Sequence, residues 1–563
     1  MDRTGALLAP IVVAAAIVAA VTFGLRQGLF VAAASDAYGY VSQADLWARG
    51  SPIVRQPFAP AMVWPNAAET LAPLGYRPYR PAPHGTDIVP IYAPGLPMVM
   101  AIFKLLGGPR AVFLVVPLLG GLAIWATYFM GRRLAGPLVG ASAAILLASS
   151  PPFLFEIVSP TSDVPGTAWW ALALGLLTVE GRAPAFGAGL ATGLAILTRP
   201  NMVVLAAIPG AMLVWQALGS RFRHHPTPQA PPALPAIPAI PAIPAPPVLS
   251  ARAQSSNPTQ RMLLFAAGSI PACIAVALIN WRLYGSPLAS GYAPFTVLFN
   301  WSHVWPNLAR YPRWLLETET PFVLLALIAP FVLRPIPAAG LDQPSPRTIA
   351  VVWSCFIAMV FLSYLFYLPF DEWWYLRFLL PAYPPILVLS SVTLLWLLTP
   401  FARVAPDAKG FAVAAVVALV ARHGVDYAVE RGAPDLWKAE QRYLTVGQYV
   451  ASALPDRAVL VCMQHSGAAR YYSGRITVRY DLMRPTDLDL VIGELRRLGY
   501  YPYLVLDDWE EANFRDRFQG QSALAGLDWT PVAQLHSNQV RIYDPADRQP
   551  GRADRPRIPD VVP

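Results

Sequence analysis

A series of apolar segments, each long enough to cross a lipid bilayer, is the feature that most constrains the fold of this chain. The segments are joined by short charged turns and continue almost to residue 420. A soluble protein carries roughly 25% charged residues, whereas this chain of 563 residues is 13% charged and 55% hydrophobic. Because about 20 apolar residues cross the hydrocarbon layer, the sequence predicts an α-helical polytopic membrane bundle.

The apolar segments predict about eleven transmembrane helices. The predicted spans are residues 7–25, 111–130, 139–150, 164–179, 185–197, 203–218, 263–283, 322–333, 349–368, 378–398 and 411–420. We expect the first to be a retained helix rather than a signal peptide, because no clear small-residue cleavage site accompanies it. Residues 91–106 are short, are interrupted by Pro94 and Pro97 and contain Lys104. This favours an interfacial or re-entrant helix that does not cross.

The distribution of basic residues predicts the orientation of the bundle. If the N-terminus is cytoplasmic, the basic clusters within 132–133, 182, 221–261, 334–347 and 403–409 all fall on the cytoplasmic side, as the positive-inside rule requires. The net charge of +9 therefore indicates membrane topology and lipid headgroups rather than nucleic acid.

Composition divides the chain into three regions. Residues 1–422 form the predicted membrane domain, with a first outer loop at 26–110 and a cytoplasmic proline-rich insert at 220–260. The PAI repeat of the insert lacks amide donors at proline, which predicts a stiff linker and leaves partner docking as the alternative. Residues 423–546 alternate helix and strand patterns, which predicts a small extracytoplasmic α/β domain. Residues 547–563 are polar and proline-rich, as in a disordered tail.

Carboxylates at the outer ends of the spans are the candidate catalytic residues. Asp36 follows the first span, where a general base would take the proton of an acceptor hydroxyl. The alternative for Asp36 is a helix N-cap. Asp163 in SPTSDVP is the second catalytic candidate, with the same alternative. Asp371 and Glu372 lie beside two tryptophans. Two alternatives stay open for this segment: a wall of the active site, or an ordinary aromatic belt at the membrane interface.

Arginine, histidine and tyrosine in the outer loops are the candidate ligands of a substrate. The predicted substrate-binding residues are His84, Tyr92, Arg199, Tyr292 and Arg377. An arginine at a span end can grip a lipid-linked phosphate through two parallel hydrogen bonds, or its side chain can extend to the headgroups. His84 has the alternative of a solvated loop histidine.

The cysteine pattern gives no metal or disulfide site. Cys273, Cys355 and Cys462 have neither zinc-ligand spacing nor a disulfide framework. No dense acidic cluster suggests a metal site either, so we expect that no metal cofactor is required, with a divalent ion shared by Asp36 and Asp163 as the alternative. The C-terminal region likewise has no metal or triad spacing, which leaves acceptor binding or a structural role.

Seven motifs in order resemble one known superfamily. They are SDAYGY, IYAPGLPMVMAIFKLLGG, GRRLAG, SPTSDVPG, ILTRPN, NWRLYGSPLASGY and YLRFLLPAYPP, which lie within residues 7–400. The sequence resembles the C-type glycosyltransferase superfamily, in particular the bacterial branch related to protein O-mannosyltransferases and the lipid A aminoarabinose transferase.

The resemblance implies a membrane glycosyltransferase of the bacterial plasma (inner) membrane. It implies a polyprenyl-phosphate-linked sugar donor, an acceptor that is a cell-envelope glycan, lipid or protein, and inversion at the anomeric carbon at an extracytoplasmic active site. Asp36 matches the catalytic acid of the first outer loop, and Asp163 matches a second polar position. The mannosyltransferases carry Asp-Glu where this chain has Asp36-Ala37, so the resemblance specifies neither sugar nor acceptor.

Two other functions stay open on the sequence alone. A transporter or lipid flippase predicts internal repeats with broken helices near the bilayer midplane. A non-catalytic membrane scaffold predicts that the C-terminal domain folds and binds a ligand by itself.

Overall fold

The computed structural model describes residues 3–80, 87–222, 257–334, 344–400, 408–537 and 539–548. Most of the predicted proline-rich insert, most of the predicted tail and His84 lie outside these residues.

Up to residue 430, the described residues contain seventeen α-helices and one small hairpin. The helices are α1 Arg3–Arg26, α2 Asp36–Ala48, α3 Ala67–Thr70, α4 Gly95–Gly107, α5 Val115–Ala135, α6 Pro137–Ser149, α7 Pro151–Ile157, α8 Asp163–Leu176, α9 Arg182–Thr198, α10 Ala207–Phe222, α11 Pro258–Tyr284, α12 Phe295–Leu298, α13 Val304–Glu319, α14 Ala329–Val332, α15 Pro346–Leu365, α16 Tyr383–Leu397 and α17 Ala408–Glu430. The antiparallel hairpin in the first outer loop comprises β1 Tyr76–Pro78 and β2 Ile88–Pro90. Longer 3-10 helices precede several of these: Pro109–Leu114, Pro200–Ala206, Pro321–Leu327 and Trp373–Ala382.

Within the described residues, seven helical segments are long and apolar enough to cross a membrane. The number is eight if α6 and α7, which meet at 63°, form one bent span. The predicted count of about eleven is therefore not confirmed: α8 and α9 have 14 and 17 residues and fall short of the required length. Helix α4 has 13 residues, about 20 Å at 1.5 Å per residue, which is too short for a roughly 30 Å hydrocarbon layer.

The centre of the bundle is the segment Trp373–Leu397, which comprises a 3-10 helix and α16. In its most apolar stretch of 18 residues, 94% of the residues are buried inside the protein. The corresponding share is 22% in each of α1, α11 and α17. A helix that is apolar on every side and buried belongs to the core, and the three exposed helices present their apolar faces outward. Arg377 lies near the start of this buried segment, and its side chain is 19% exposed.

The C-terminal region is a five-stranded sheet covered by helices. Its elements are α18 Leu436–Ala453, β3 Ala458–Val461, α19 Ser466–Ser473, β4 Ile476–Val478, α20 Leu488–Arg497, β5 Tyr501–Asp507, α21 Asp508–Phe518, β6 Ala533–Leu535 and β7 Val540–Tyr543. The strand order is β4-β3-β5-β7-β6, with β3 parallel to β4 and β5, and β7 antiparallel to β5 and β6. The predicted α/β fold is confirmed. The predicted boundary at residue 422 falls inside α17, and the division into domains stays a prediction.

Helix α19 packs directly on α2, the helix of the first outer loop. Gly467 faces the ring of Tyr38 so closely that an added Cβ would lie 2.2 Å from Tyr38 Cδ1. The Tyr471 hydroxyl donates to Asp45 Oδ2 at 3.1 Å. The C-terminal region therefore supports the helix that begins at Asp36.

Candidate active site

Asp36 is the first residue of α2, and its carboxylate is held by two side chains from distant segments. Oδ1 accepts a hydrogen bond from the Tyr92 hydroxyl at 2.7 Å, and Oδ2 lies 2.9 Å from Arg377 Nη2. Ser35, not Asp36, occupies the N-cap position, and it makes no side-chain capping bond. The capping alternative for Asp36 is therefore wrong.

A glycine in the SDAYGY motif makes room for Tyr92. A Cβ at Gly39 would lie 2.1 Å from Tyr92 Cε2, so only glycine allows the aromatic ring to pack on this face of α2. The Tyr92 ring then lies 4.7 Å from that of Tyr40 and 5.8 Å from that of Tyr292. Three motifs that are far apart in the sequence meet at this cluster of tyrosines.

The surroundings of Asp36 favour its ionised form. Burial raises the pKa of its carboxyl, but the charge of Arg377 and the hydrogen bonds from Tyr92 and Arg377 outweigh burial and hold the pKa below its ordinary value. The side chain is still 37% exposed. Asp36 is therefore a charged carboxylate at neutral pH that a substrate can approach.

Arg377 also lies near a second carboxylate, that of Glu156. Nη1 of Arg377 is 3.9 Å from Glu156 Oε1, and Glu156 Oε2 accepts a hydrogen bond from the Thr161 hydroxyl at 2.6 Å. The Glu156 side chain is 7% exposed. Sequence reasoning missed this residue, although an ionisable side chain within an apolar membrane segment is itself a functional signal.

Asp163 and Arg199 form a second buried ion pair. Asp163 is the first residue of α8, and its Oδ1 contacts Arg199 Nη1. Arg199 Nη2 donates to the Tyr364 hydroxyl at 3.1 Å, and Asn201 Nδ2 donates to the same hydroxyl at 3.0 Å. Ser162 occupies the N-cap position of α8 and makes no side-chain capping bond, so the capping alternative is wrong here too. Both members of the pair are buried, so Arg199 does not extend to the headgroups.

One aromatic ring lies between the two ion pairs. The guanidinium carbons of Arg377 and Arg199 are 5.4 and 5.8 Å from the centre of the Phe378 ring. The two pairs are therefore neighbours within one polar cluster. The Tyr40 hydroxyl, which donates to Ser162 Oγ at 2.8 Å, ties α2 to the turn before α8.

Two other outer-loop carboxylates lie apart from this cluster, whereas Tyr292 contacts it. Asp371 pairs with Arg310 and its side chain is 83% exposed, so it is no wall of the site. Asp45, on the same helix as Asp36, pairs with Lys104 instead. Tyr292 reaches the cluster through its contact with the Tyr92 ring.

No group of three or more His, Cys, Asp or Glu side chains among the described residues is arranged to hold a metal ion. The expectation that no metal is required, and its alternative of an ion shared by Asp36 and Asp163, both stay predictions.

Part of the sequence matches the model of a known protein family. Residues 91–243 match the sequence model of the family described as dolichyl-phosphate-mannose-protein mannosyltransferase. That stretch includes Tyr92, Asp163 and Arg199. No curated protein sequence matches the chain.

Several solved structures share the overall fold of this chain. The chain is similar to ArnT from Cupriavidus metallidurans bound to undecaprenyl phosphate, with a TM-score of 0.55, 12% identity and coverage of 94% of this chain and 97% of that one. For apo ArnT from that organism the TM-score is 0.52 and the identity 13%, over 93% and 96% of the two chains. The chain is also similar to the oligosaccharyltransferase AglB from Archaeoglobus fulgidus in complex with an inhibitory peptide and a dolichol-phosphate. The TM-score is 0.51 and the identity 12%, with coverage of 96% of this chain and 75% of that one. The predicted resemblance and the predicted membrane fold are confirmed.

Proposed function

We propose that this multi-pass membrane protein is a glycosyltransferase that moves a sugar from a polyprenyl-phosphate donor to an extracytoplasmic acceptor. The observation that carries the proposal is the ionised, partly exposed Asp36 carboxylate paired with Arg377 in an otherwise buried cluster. The fold supports it, because the similar ArnT and AglB structures contain undecaprenyl phosphate and dolichol-phosphate.

Asp36 is the proposed general base. Each carboxylate oxygen has two acceptor sites, so Oδ1 and Oδ2 can each accept a further hydrogen bond beside those from Tyr92 and Arg377. The acceptor hydroxyl transfers its proton to Asp36 while its oxygen forms a bond to the anomeric carbon. The bond from that carbon to the phosphate oxygen breaks, and polyprenyl phosphate leaves with the electron pair. A single displacement of this kind inverts the anomeric carbon.

Arg377 is the proposed phosphate ligand. A guanidinium has five N–H donors, and the Nε–H of Arg377 is buried without a hydrogen-bond partner in the part of the chain that the structure describes. A phosphate oxygen would satisfy this donor and take up the charge that develops on the leaving group. Arg199 is already held by Asp163 and Tyr364, which suits it to fixing the geometry of the site.

The proposed location is the bacterial plasma (inner) membrane, with the site on the extracytoplasmic side. The basic clusters between the spans support this orientation. The acceptor is a glycan, a lipid or a protein, and we propose no metal ion in the reaction.

The test is the release of polyprenyl phosphate by the purified protein in lipid nanodiscs. A panel of polyprenyl-phosphate-linked mannose, glucose, galactose, arabinose and aminoarabinose is supplied, and the products are measured by mass spectrometry. We expect at least one donor to be cleaved, at equal rates by wild type and the Asp371→Asn control, because Asp371 is exposed and apart from the cluster. Movement of donors across the membrane of sealed proteoliposomes without cleavage would instead support the flippase alternative.

A further inference from the structure

The C-terminal α/β region has an open cavity of about 200 Å³ on its surface. Its lining residues are Ala439 and Arg442 of α18, Asp507, Asp508 and Trp509 at the junction of β5 and α21, and Gln539 before β7. Small-molecule sites are concave and combine apolar surface with a few placed polar groups. This cavity has that composition.

The floor of the cavity is a fixed carboxylate. Asp507 has a side chain that is 2% exposed, and its Oδ1 accepts a hydrogen bond from His465 Nε2 at 2.7 Å. Its Oδ2 accepts one from Trp509 Nε1 at 3.1 Å and lies 3.6 Å from Arg442 Nε. These contacts, together with the capping box that Asp507 forms with Glu510, hold the carboxylate and the indole in one orientation.

The cavity combines an exposed aromatic side chain with donors and acceptors that are nearly balanced in charge. Trp509 is 47% exposed, although its Nε1–H is already used by Asp507. One cation, Arg442, faces two anions, Asp507 and Asp508. The excess of negative charge would repel a phosphate or carboxylate ligand. Hydroxyl groups, in contrast, form hydrogen bonds both with carboxylates and with guanidinium and amide donors.

We propose that this cavity binds a neutral sugar residue, whose C–H face packs on Trp509 while its hydroxyls bond to Asp508, Arg442 and Gln539. The volume suits a single sugar unit rather than a drug-sized molecule. The identity of this sugar rests on the proposed function. In a glycosyltransferase of the proposed kind, the bound sugar is one unit of a glycan acceptor.

Contacts behind the cavity connect it to the segment that carries Asp36. The hydroxyl of Tyr443, next to Arg442, accepts hydrogen bonds from Arg442 Nη2 at 3.1 Å and Gln464 Nε2 at 3.0 Å. The Tyr443 ring is fully buried in one cluster with Ala33 and Ala37, the latter adjacent to Asp36. A sugar in the cavity is thus separated from the start of α2 by one layer of side chains, which suits a subsite for a unit distant from the reacting hydroxyl.

The test is saturation-transfer NMR of the full-length protein in detergent with mannobiose, galactobiose and arabinobiose as probes. We expect at least one disaccharide to bind wild type, and Trp509→Ala to weaken its binding by about three- to tenfold, the range of an aromatic contact. Tyr501→Ala is the matched control. Tyr501 is an exposed aromatic residue at the other end of β5, about 20 Å away at 3.3 Å per residue, and its replacement should leave binding unchanged.

Gln539→Ala is a second cavity variant, and it should also weaken disaccharide binding. It replaces Trp509→Ala as the test if Trp509→Ala lowers the thermal unfolding midpoint of the protein. The proposal is overturned if no probe binds wild type, or if a folded cavity variant binds as tightly as Tyr501→Ala. Polyprenyl phosphate release is measured on the same samples with water as the acceptor, so that it does not depend on the cavity. Failure of sugar binding alone then refutes the cavity, and failure of release alone refutes the proposed function.

Discussion

Replacement of Arg377 by methionine tests whether this one cation neutralises two carboxylates. Its guanidinium lies 2.9 Å from Asp36 Oδ2 and 3.9 Å from Glu156 Oε1. Methionine fills much of the same space with an apolar chain. Both carboxylates would then lose their nearest cation, and the free energy of unfolding should fall.

The two carboxylates contribute unequally to the expected loss. Asp36 is 37% exposed, so water screens its pair, and the loss of this pair costs about 1 kcal/mol at most. Glu156 is 7% exposed, and removal of one partner from a buried pair costs about 3–5 kcal/mol. At a separation of 3.9 Å the lower end of that range applies. Arg377→Met should therefore lower the free energy of unfolding by about 3–4 kcal/mol.

Glu156→Gln completes a double-mutant cycle. Glutamine removes the charge but keeps an oxygen that can accept the Thr161 hydroxyl bond. In wild type this change loses the attraction to Arg377. Beside Arg377→Met it instead removes the cost of burying Glu156 without its cation, whether the carboxyl stays charged or takes up a proton, and it should restore about 2 kcal/mol. Reversible unfolding by SDS in mixed micelles, followed by circular dichroism, measures all four proteins. Equal effects of Glu156→Gln in both backgrounds would refute the reasoning.

Three further predictions concern orientation, the tyrosine contact and pH. Reporter fusions after Gly432 and within residues 233–245 should lie on opposite sides of the membrane, and a result on one side would remove the assigned orientation. Tyr92→Phe removes the donor at 2.7 Å from Asp36 Oδ1, so transfer should fall about tenfold, the value of one hydrogen bond to a charged group; an unchanged rate would make the contact structural only. Burial raises the pKa of Asp36, but Arg377 and Tyr92 hold it below its ordinary value, so the charged form is kept until the pH falls through that lowered pKa. The ratio kcat/KM should therefore be level from pH 8 to about 5, and an acid limb near pH 6 would contradict an ionised Asp36.

The contact between Asp163 and Arg199 follows from features that the sequence contains. Asp163 precedes one apolar segment and Arg199 ends the next, and a short connection makes consecutive helices antiparallel. The start of α8 and the end of α9 must therefore lie at the same end of the bundle. The prediction that the outer-loop motifs gather at one membrane face depends on this geometry, and the two residues do pair.

The partners of Asp36 were harder to infer. Arg377 is 341 positions away in the chain, and its side chain meets Asp36 because its segment occupies the buried centre of the bundle. Periodicity predicts that a helix is apolar, but it does not specify which of several apolar helices is central. Glu156 was missed for a related reason, since it lies in α7 after the bend that follows Ser150.

The contacts of the C-terminal region could not be predicted from local pattern. The alternation of helix and strand patterns that predicts the α/β fold is clear in α18 and in the strands β3, β5 and β7. Helix α19 has only eight residues, too few for a periodic pattern to identify it, yet it makes the contact with Tyr38. The pairing of His465 with Asp507 spans 42 positions and depends on the crossover between parallel strands.

The assignment of Asp36 as general base is tested most directly by Asp36→Asn, with donor binding and sugar transfer measured on the same purified protein. Asparagine keeps the size of the side chain and one acceptor oxygen, but it cannot accept the proton. The protein should accumulate in the membrane and bind the lipid-linked donor, while transfer falls by at least about 10²–10⁴-fold, the contribution of a positioned base. Near-full transfer by Asp36→Asn would contradict the assignment, and the base would then have to be sought at Asp163, Asp87 or Glu69.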